Sequence, residues 1–138
     1  MKRILFSVLL ISGFIGCSKD PFVDPMANEK IALAGTVNNP SKWKLIGISV
    51  NNTPQNLTVA NSLYVKKYIS NSVFEDSDGI KGNWTLPVID SLVERYGNFL
   101  SGVSVTQGYK IICLDASTLR LQYYMNGNCI LISYQYVQ

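Results

Sequence analysis

The sequence predicts an all-β fold, a small antiparallel up-and-down barrel of about eight strands behind a signal peptide and a tether. Three observations predict it. From Trp43 onward apolar and aromatic residues recur at every second position, the period of a pleated strand. Turn-forming residues interrupt these runs at short intervals, as in a meander of hairpins. At 138 residues, 47% of them hydrophobic and 15% charged, the chain has the size and composition of one folded domain. It contains no histidine, which removes the commonest general base, the Ser-His and Cys-His nucleophile systems and the commonest metal ligand.

The elements follow in order. Lys2 and Arg3 precede a twelve-residue apolar run, Ile4 to Ile15, that ends at Gly16-Cys17. Cations, an apolar stretch and a small residue are the parts of a secretory signal, and the run falls short of the ~20 residues that a membrane-crossing helix needs. Its end, Phe14-Ile15-Gly16-Cys17, resembles the lipobox of bacterial lipoproteins, with Phe14 where that family usually has Leu. The resemblance implies that the Cys17 thiol receives diacylglycerol, that residues 1–16 are cut away, and that the new amino group is acylated. Two or three acyl chains make a stable anchor where one does not. Ser18 in place of Asp after the cysteine implies the outer membrane of a diderm bacterium. Cys17-Ser18-Lys19-Asp20 also resembles Bacteroidetes lipoprotein starts, in which acidic residues direct surface display; the periplasmic and the surface-exposed face both stay open. The formal charge of +3 includes Lys2 and Arg3, so the remaining chain carries ten basic against nine acidic side chains. That balance gives no support to nucleic acid or acidic substrates as partners.

Residues 17–40 read as the lipidated cysteine and a flexible tether, with Pro21, Pro25 and Pro40 among scattered Asp and Asn. Within it Lys30 to Val37 suits either a short strand or a helix that closes the domain. The barrel domain is expected over 41–138. Strands are expected at 43–50, 62–69, 71–76, 80–86, 90–95 and 102–107, then a hairpin of 109–114 with 118–125, and last 129–137; residues 56–67 alternatively begin with a helical turn. Asn51-Asn52-Thr53-Pro54, Asp78-Gly79, Asp115-Ala116-Ser117 and Asn126-Gly127-Asn128 supply the turns. Closing such a meander into a barrel removes its exposed edges. Lys81, Lys110 and Arg120, at outward positions, argue against a barrel that spans a membrane.

Trp43-Lys44-Leu45, Phe74 with Asp78-Gly79, Gly82-Asn83-Trp84, and Tyr109-Lys110-Ile111 with Leu119-Arg120-Leu121 together resemble the lipocalin-like lipoprotein domains of Bacteroidetes over roughly residues 41–137. Lipocalins open their first strand with Gly-x-Trp; here Ser41-Lys42-Trp43 lacks the Gly, and Gly82-Asn83-Trp84 carries the pattern later. The resemblance implies a barrel with room for a pocket at most, and the inward aromatics of its short strands are expected to fill much of a shallow interior. Eight strands hold one small ligand or are filled by side chains, and Trp84, Tyr109, Leu121, Tyr123 and Tyr134 are the candidate ligand-facing residues, offering an apolar interior with few charges. A small apolar ligand, oriented by tyrosine hydroxyls, is the expected partner besides the membrane.

Other constellations are weaker. Cys113 and Cys129 are expected as buried free thiols, because a meander places them at opposite ends of non-neighbouring strands, beyond disulfide reach. Two cysteines without histidine make no zinc site. Glu75, Asp76 and Asp78 lack the spacing of a calcium loop and read as a solvated turn. Asp90 and Glu94, four apart on a strand, share a face as a glycosidase carboxylate pair would, but nothing in the sequence builds a sugar cleft around them. Asp90-Ser91-Leu92 resembles the Bacteroidetes O-glycosylation triplet. Tyr64, Tyr124 and Tyr136 are candidates for an exposed recognition surface. No phosphate loop or dinucleotide fingerprint is present. The expected function is binding without catalysis, metal or cofactor; the alternatives are a protein-interaction module of an outer-membrane complex and a small hydrolase.

Overall fold

A computed structural model describes residues 24–98 and 102–138. The signal segment and the lipidation expected at Cys17 lie outside the described residues. The chain forms helix α1 (Ala27–Ala34), strands β1 (Ser41–Val50) and β2 (Thr53–Gln55), a helical turn α2 (Val59–Ser62), then β3 (Val65–Ile69), β4 (Val73–Asp76), β5 (Lys81–Thr85), β6 (Ser91–Asn98), β7 (Val103–Leu114), β8 (Thr118–Met125) and β9 (Asn128–Val137).

Every neighbouring pair is antiparallel, and β9 returns to pair with β1 from Lys42↔Val137 to Val50↔Ile130. The result is the expected closed eight-stranded barrel, made of β1 and β3 to β9, with the short β2 folded back on the end of β1. The turns form where the sequence places them: Asn51 and Asn52 adopt φ of 49° and 67°, and Asn126 and Gly127 adopt 51° and 78°. Positive φ at both central residues is the two-residue hairpin geometry that matches strand twist.

Three expectations change. The runs 102–107 and 109–114 are one strand, because Gly108 continues the ladder opposite Val93. The helical alternatives hold in two places. Thr58 caps the turn at Val59–Ser62 by accepting the Asn61 N–H at 3.2 Å. Within the expected tether, Ala27–Ala34 is a helix whose Leu33 and Ala34 are fully buried. Ala-rich composition favours the helix, and it stops at Gly35, where φ is 62°. The domain therefore begins well before residue 41. The Leu33 carbonyl accepts the Trp43 indole N–H at 2.9 Å, so α1 closes the barrel end where β1 starts.

Two bulges reset which residues face inward. The β1–β9 register slips between Leu45 and Gly47, which moves the inward phase from Ser41, Trp43 and Leu45 to Ile48. The β7–β8 register slips between Ile111 and Cys113. Cys113, expected on the face of Tyr109 and Ile111, is thereby turned beside exposed Arg120, while Leu114 packs on the core opposite Leu119. Cys113 and Cys129 are free thiols as expected, but both are half-buried. Burial and the Asp115 carboxylate beside it hold the Cys113 thiol above its ordinary pKa.

Candidate functional site

The barrel interior divides into a packed half and an open half. Towards α1 it is filled by Trp43, Tyr68, Trp84, Leu92, Leu119 and Leu121, all essentially inaccessible. Beyond them lies a cavity of about 270 Å³, reached past α2 and the β4–β5 turn, where Asn61, Asp78 and Ile80 stand at its mouth.

The floor of this cavity is ionic. Alternation along β3 sends Lys66 and Tyr68 inward while Lys67 turns out to Glu75 at 2.9 Å. The same alternation along β6 sends Leu92 and Glu94 inward. Lys66 is 6% exposed and Glu94 1%, and the two meet with Nζ at 3.0 Å from Oε1 and 2.9 Å from Oε2. The Tyr68 hydroxyl donates to Oε1 and the Tyr109 hydroxyl to Oε2, the latter at 3.3 Å. Glu94 thus accepts four hydrogen bonds, the capacity of a carboxylate. The Lys66 ammonium also lies 5.2 Å from the Phe74 ring centre and 5.9 Å from that of Tyr109. A buried ion pair gains little net stability over apolar packing unless its hydrogen bonds are complete; those of Glu94 are, while Lys66 gives two of its three N–H groups to Glu94.

Tyrosines make the walls. Tyr64 donates to Asp76 Oδ2 at 2.9 Å. Tyr109 packs its edge on Tyr123 with centroids 5.5 Å apart, and Tyr96 packs on Phe74 at 6.1 Å. Tyr134, 3% exposed, lines the cavity, and its hydroxyl has no hydrogen-bond partner among the described residues. Burial, and after it the negative charge of Glu94, pushes the Tyr68, Tyr109 and Tyr134 hydroxyls well above the ordinary phenol pKa. For Tyr64 burial leads, with Tyr134 and Asp76 adding to it. These phenols are neutral donors throughout the physiological range.

Of the five expected ligand-facing residues, Tyr109 and Tyr134 line the cavity. Trp84 and Leu121 belong to the packed half beneath it: Trp84 donates its indole N–H to the Ile69 carbonyl at 3.0 Å, and Leu121 is 0% exposed. Tyr123 supports Tyr109 from the inward face of β8, behind the cavity wall. The expected interior with few charges is corrected by Lys66 and Glu94, which alternation carries inside despite their charge. Asp90 and Glu94 do not form a pair. Asp90 sits in the β5–β6 turn with φ of 58° and is exposed, whereas Glu94 is committed to Lys66 and two tyrosines. Ser91 opens β6, half-buried, opposite Lys110.

The acidic turn is built for its own backbone: Asp76 Oδ1 accepts the N–H groups of Asp78 and Ile80 at 3.0 and 2.9 Å. Glu75 points away, between Lys67 and Lys81, and these cations hold its carboxyl below the usual range. Among the three candidate recognition tyrosines, Tyr124 is 72% exposed, Tyr136 packs on Trp43 at 5.7 Å, and Tyr64 serves the cavity. Sequence reading missed Lys66 and Tyr68, put Tyr64 on an exposed surface instead of in the cavity, and gave Glu94 the wrong partner. The signal was a charge in phase with inward aromatics: Lys66 two before Tyr68, and Glu94 midway between Leu92 and Tyr96. No family model, curated protein or solved structure matches the chain.

Proposed function

We propose that this chain is a lipid-anchored envelope protein whose lipocalin-like barrel binds a small molecule without transforming it. The carrying observation is the cavity: about 270 Å³, open at one end, walled by tyrosines and floored by Lys66 and a Glu94 that accepts four hydrogen bonds. Ligand sites usually measure roughly 300–1,000 Å³, so the ligand is small and amphipathic; a whole haem, sterol or long acyl chain does not fit. Lys66, Tyr68 and Tyr109 occupy all four acceptor positions of Glu94, so it offers none to a substrate or an attacking water, and this favours binding over hydrolysis. The lipobox ending at Cys17 supports anchorage in the outer membrane.

Thermal shift tests the binding reading. A ligand at a hundredfold excess over its Kd adds about 2.7 kcal/mol of stability, so a screen of small amines, alcohols, acids and sugars raises Tm for the right class. Ile80→Trp, at the mouth, should abolish that rise while the unliganded Tm is retained. Leu121, one of the expected ligand-facing residues, is unsuitable for such a test because a larger side chain there overpacks the core. Cys17→Ala tests the anchor: the variant should leave the detergent phase that wild type enters, and equal partitioning of both refutes it.

A second reading, an interaction module, is favoured by one observation. Pro25 and Met26 form an apolar cleft with Pro87, Val88 and Ile89, and the last two are each 62% exposed. If no compound class shifts Tm and a photo-crosslinker at position 88 traps one defined envelope protein that Val88→Asp releases, this reading replaces the first.

A further inference from the structure

We propose that the ligand of this cavity is a small organic cation, an amine or ammonium group on a compact apolar or aromatic body. The proposal rests on the binding reading above and adds the chemical class.

Charge balance within the cavity is the first argument. Lys66 and Glu94 cancel, and two N–H donors of Lys66 already go to Glu94. An anionic ligand gains at most the third N–H of an ammonium whose charge Glu94 already neutralises, and meets the Glu94 carboxylate beside it. At the mouth, by contrast, Asp76 and Asp78 line the cavity, and neither takes part in any ion pair among the described residues. The net charge facing a ligand is therefore negative. Asp76 is held in place by two backbone N–H groups and the Tyr64 hydroxyl, so it is a preorganised acceptor.

The walls are the second argument. Tyr64, Tyr96, Tyr109 and Tyr134 all border the cavity. The faces of aromatic rings attract cations, most strongly where water is excluded. The third argument is Tyr134. Its side chain is buried and borders the cavity, yet its hydroxyl has no partner among the described residues. Its oxygen is open to the cavity and not sealed off, so its lone pairs can accept an ammonium N–H from a ligand. Its ionisation is suppressed by burial first, and then by Glu94, Tyr123 and Asp76, which means that the carboxylates' field reaches it.

Calorimetric titration of the detergent-solubilised full chain with three probes of matched size tests the assignment: 2-phenylethylamine, 2-phenylethanol and phenylacetate. The amine should bind about tenfold more tightly than the alcohol, and phenylacetate more weakly than either. Asp76→Asn, which keeps an oxygen for the turn N–H groups, should weaken the amine by about fivefold and the alcohol by much less. Tyr134→Phe, which keeps the ring, should weaken the amine as well. Binding of the alcohol or phenylacetate as tight as that of the amine overturns the cation assignment and leaves the binding reading standing. No heat with any of the three also overturns it, and the thermal-shift screen then decides separately whether the cavity binds another class. An amine affinity unchanged in both Asp76→Asn and Tyr134→Phe places the cation elsewhere and refutes the site.

Discussion

Lys66 carries its charge into the barrel only because Glu94 meets it there, so each residue is hazardous alone. Lys66→Met leaves a buried carboxylate supported only by two phenols, and should cost about 3–5 kcal/mol in urea unfolding. The double variant Lys66→Met/Glu94→Leu should recover most of that loss, since an apolar pair of similar volume is often neutral or stabilising. A double variant as unstable as the single one contradicts the pairing. Asp115 illustrates a charge of the opposite kind, at the surface. Its Oδ1 accepts the Ser117 N–H and hydroxyl and the Thr118 N–H, at 2.8, 3.0 and 2.8 Å. Hydrogen bonds from Ser117, backbone and then hydroxyl, and from the Thr118 backbone hold its carboxyl below the ordinary 3.8. A depressed folded pKa gives stability that is complete above the unfolded value and is lost as pH falls through the folded one. Asp115→Ala should therefore lower Tm at neutral pH, with the gap to wild type closing as pH drops below 3.8.

Strand β5 is constrained by what packs on it. A Cβ added at Gly82 would lie 2.2 Å from the Arg95 carbonyl oxygen and 2.8 Å from the Phe74 ring. At Gly108, on β7, it would meet nothing within 4 Å. Gly82→Ala should accordingly cost about 1–3 kcal/mol by overpacking, while Gly108→Ala should be neutral or slightly stabilising; equal effects refute the close approach. Elements such as these show what a sequence reveals. Period-two alternation and the Asn-Asn and Asn-Gly turns are local signals, and they yield the hairpins, their order and the closed meander. The bulge at Ile112 is invisible because Tyr109, Ile111 and Cys113 alternate without a break; only the partner strand shows that one residue is extra. Lys66-Lys67 defeats the pattern differently. A charged doublet reads as solvent on both faces, and only its phase with Tyr68 reveals that one lysine is inside. The cavity was half legible: Tyr109 and Tyr134 follow from alternation, whereas Trp84 and Leu121 lie deeper because depth along the barrel axis is not a periodic property.

Taken as a whole, the molecule is a barrel with one end packed and one end open, and α1 belongs to the packed end. Leu33 and Ala34 are buried to 0% exposure and Trp43 donates to the Leu33 carbonyl, so the helix should unfold together with the strands. A chain begun at residue 24 keeps these contacts. A chain begun at residue 41 exposes the underside of Trp43 and loses the Leu33 contacts, at a cost of about 2–5 kcal/mol by the scale of large-to-small core changes. Equal unfolding midpoints for the 24 and 41 starts disprove a structural role for the helix.

In a meander, successive turns fall at alternate ends. The β4–β5 turn stands at the cavity mouth, so the β5–β6 turn stands at the far end, and there Pro87, Val88 and Ile89 share a cleft with Pro25 and Met26. The chain thus enters at the base. The described chain therefore starts on the side of the barrel opposite the rim, like a goblet met first at its foot. Under the anchorage and the binding proposed above, the ligand meets the open end without being drawn out of a lipid layer, and its exchange rate should depend on salt and solute concentration but not on the composition of the bilayer.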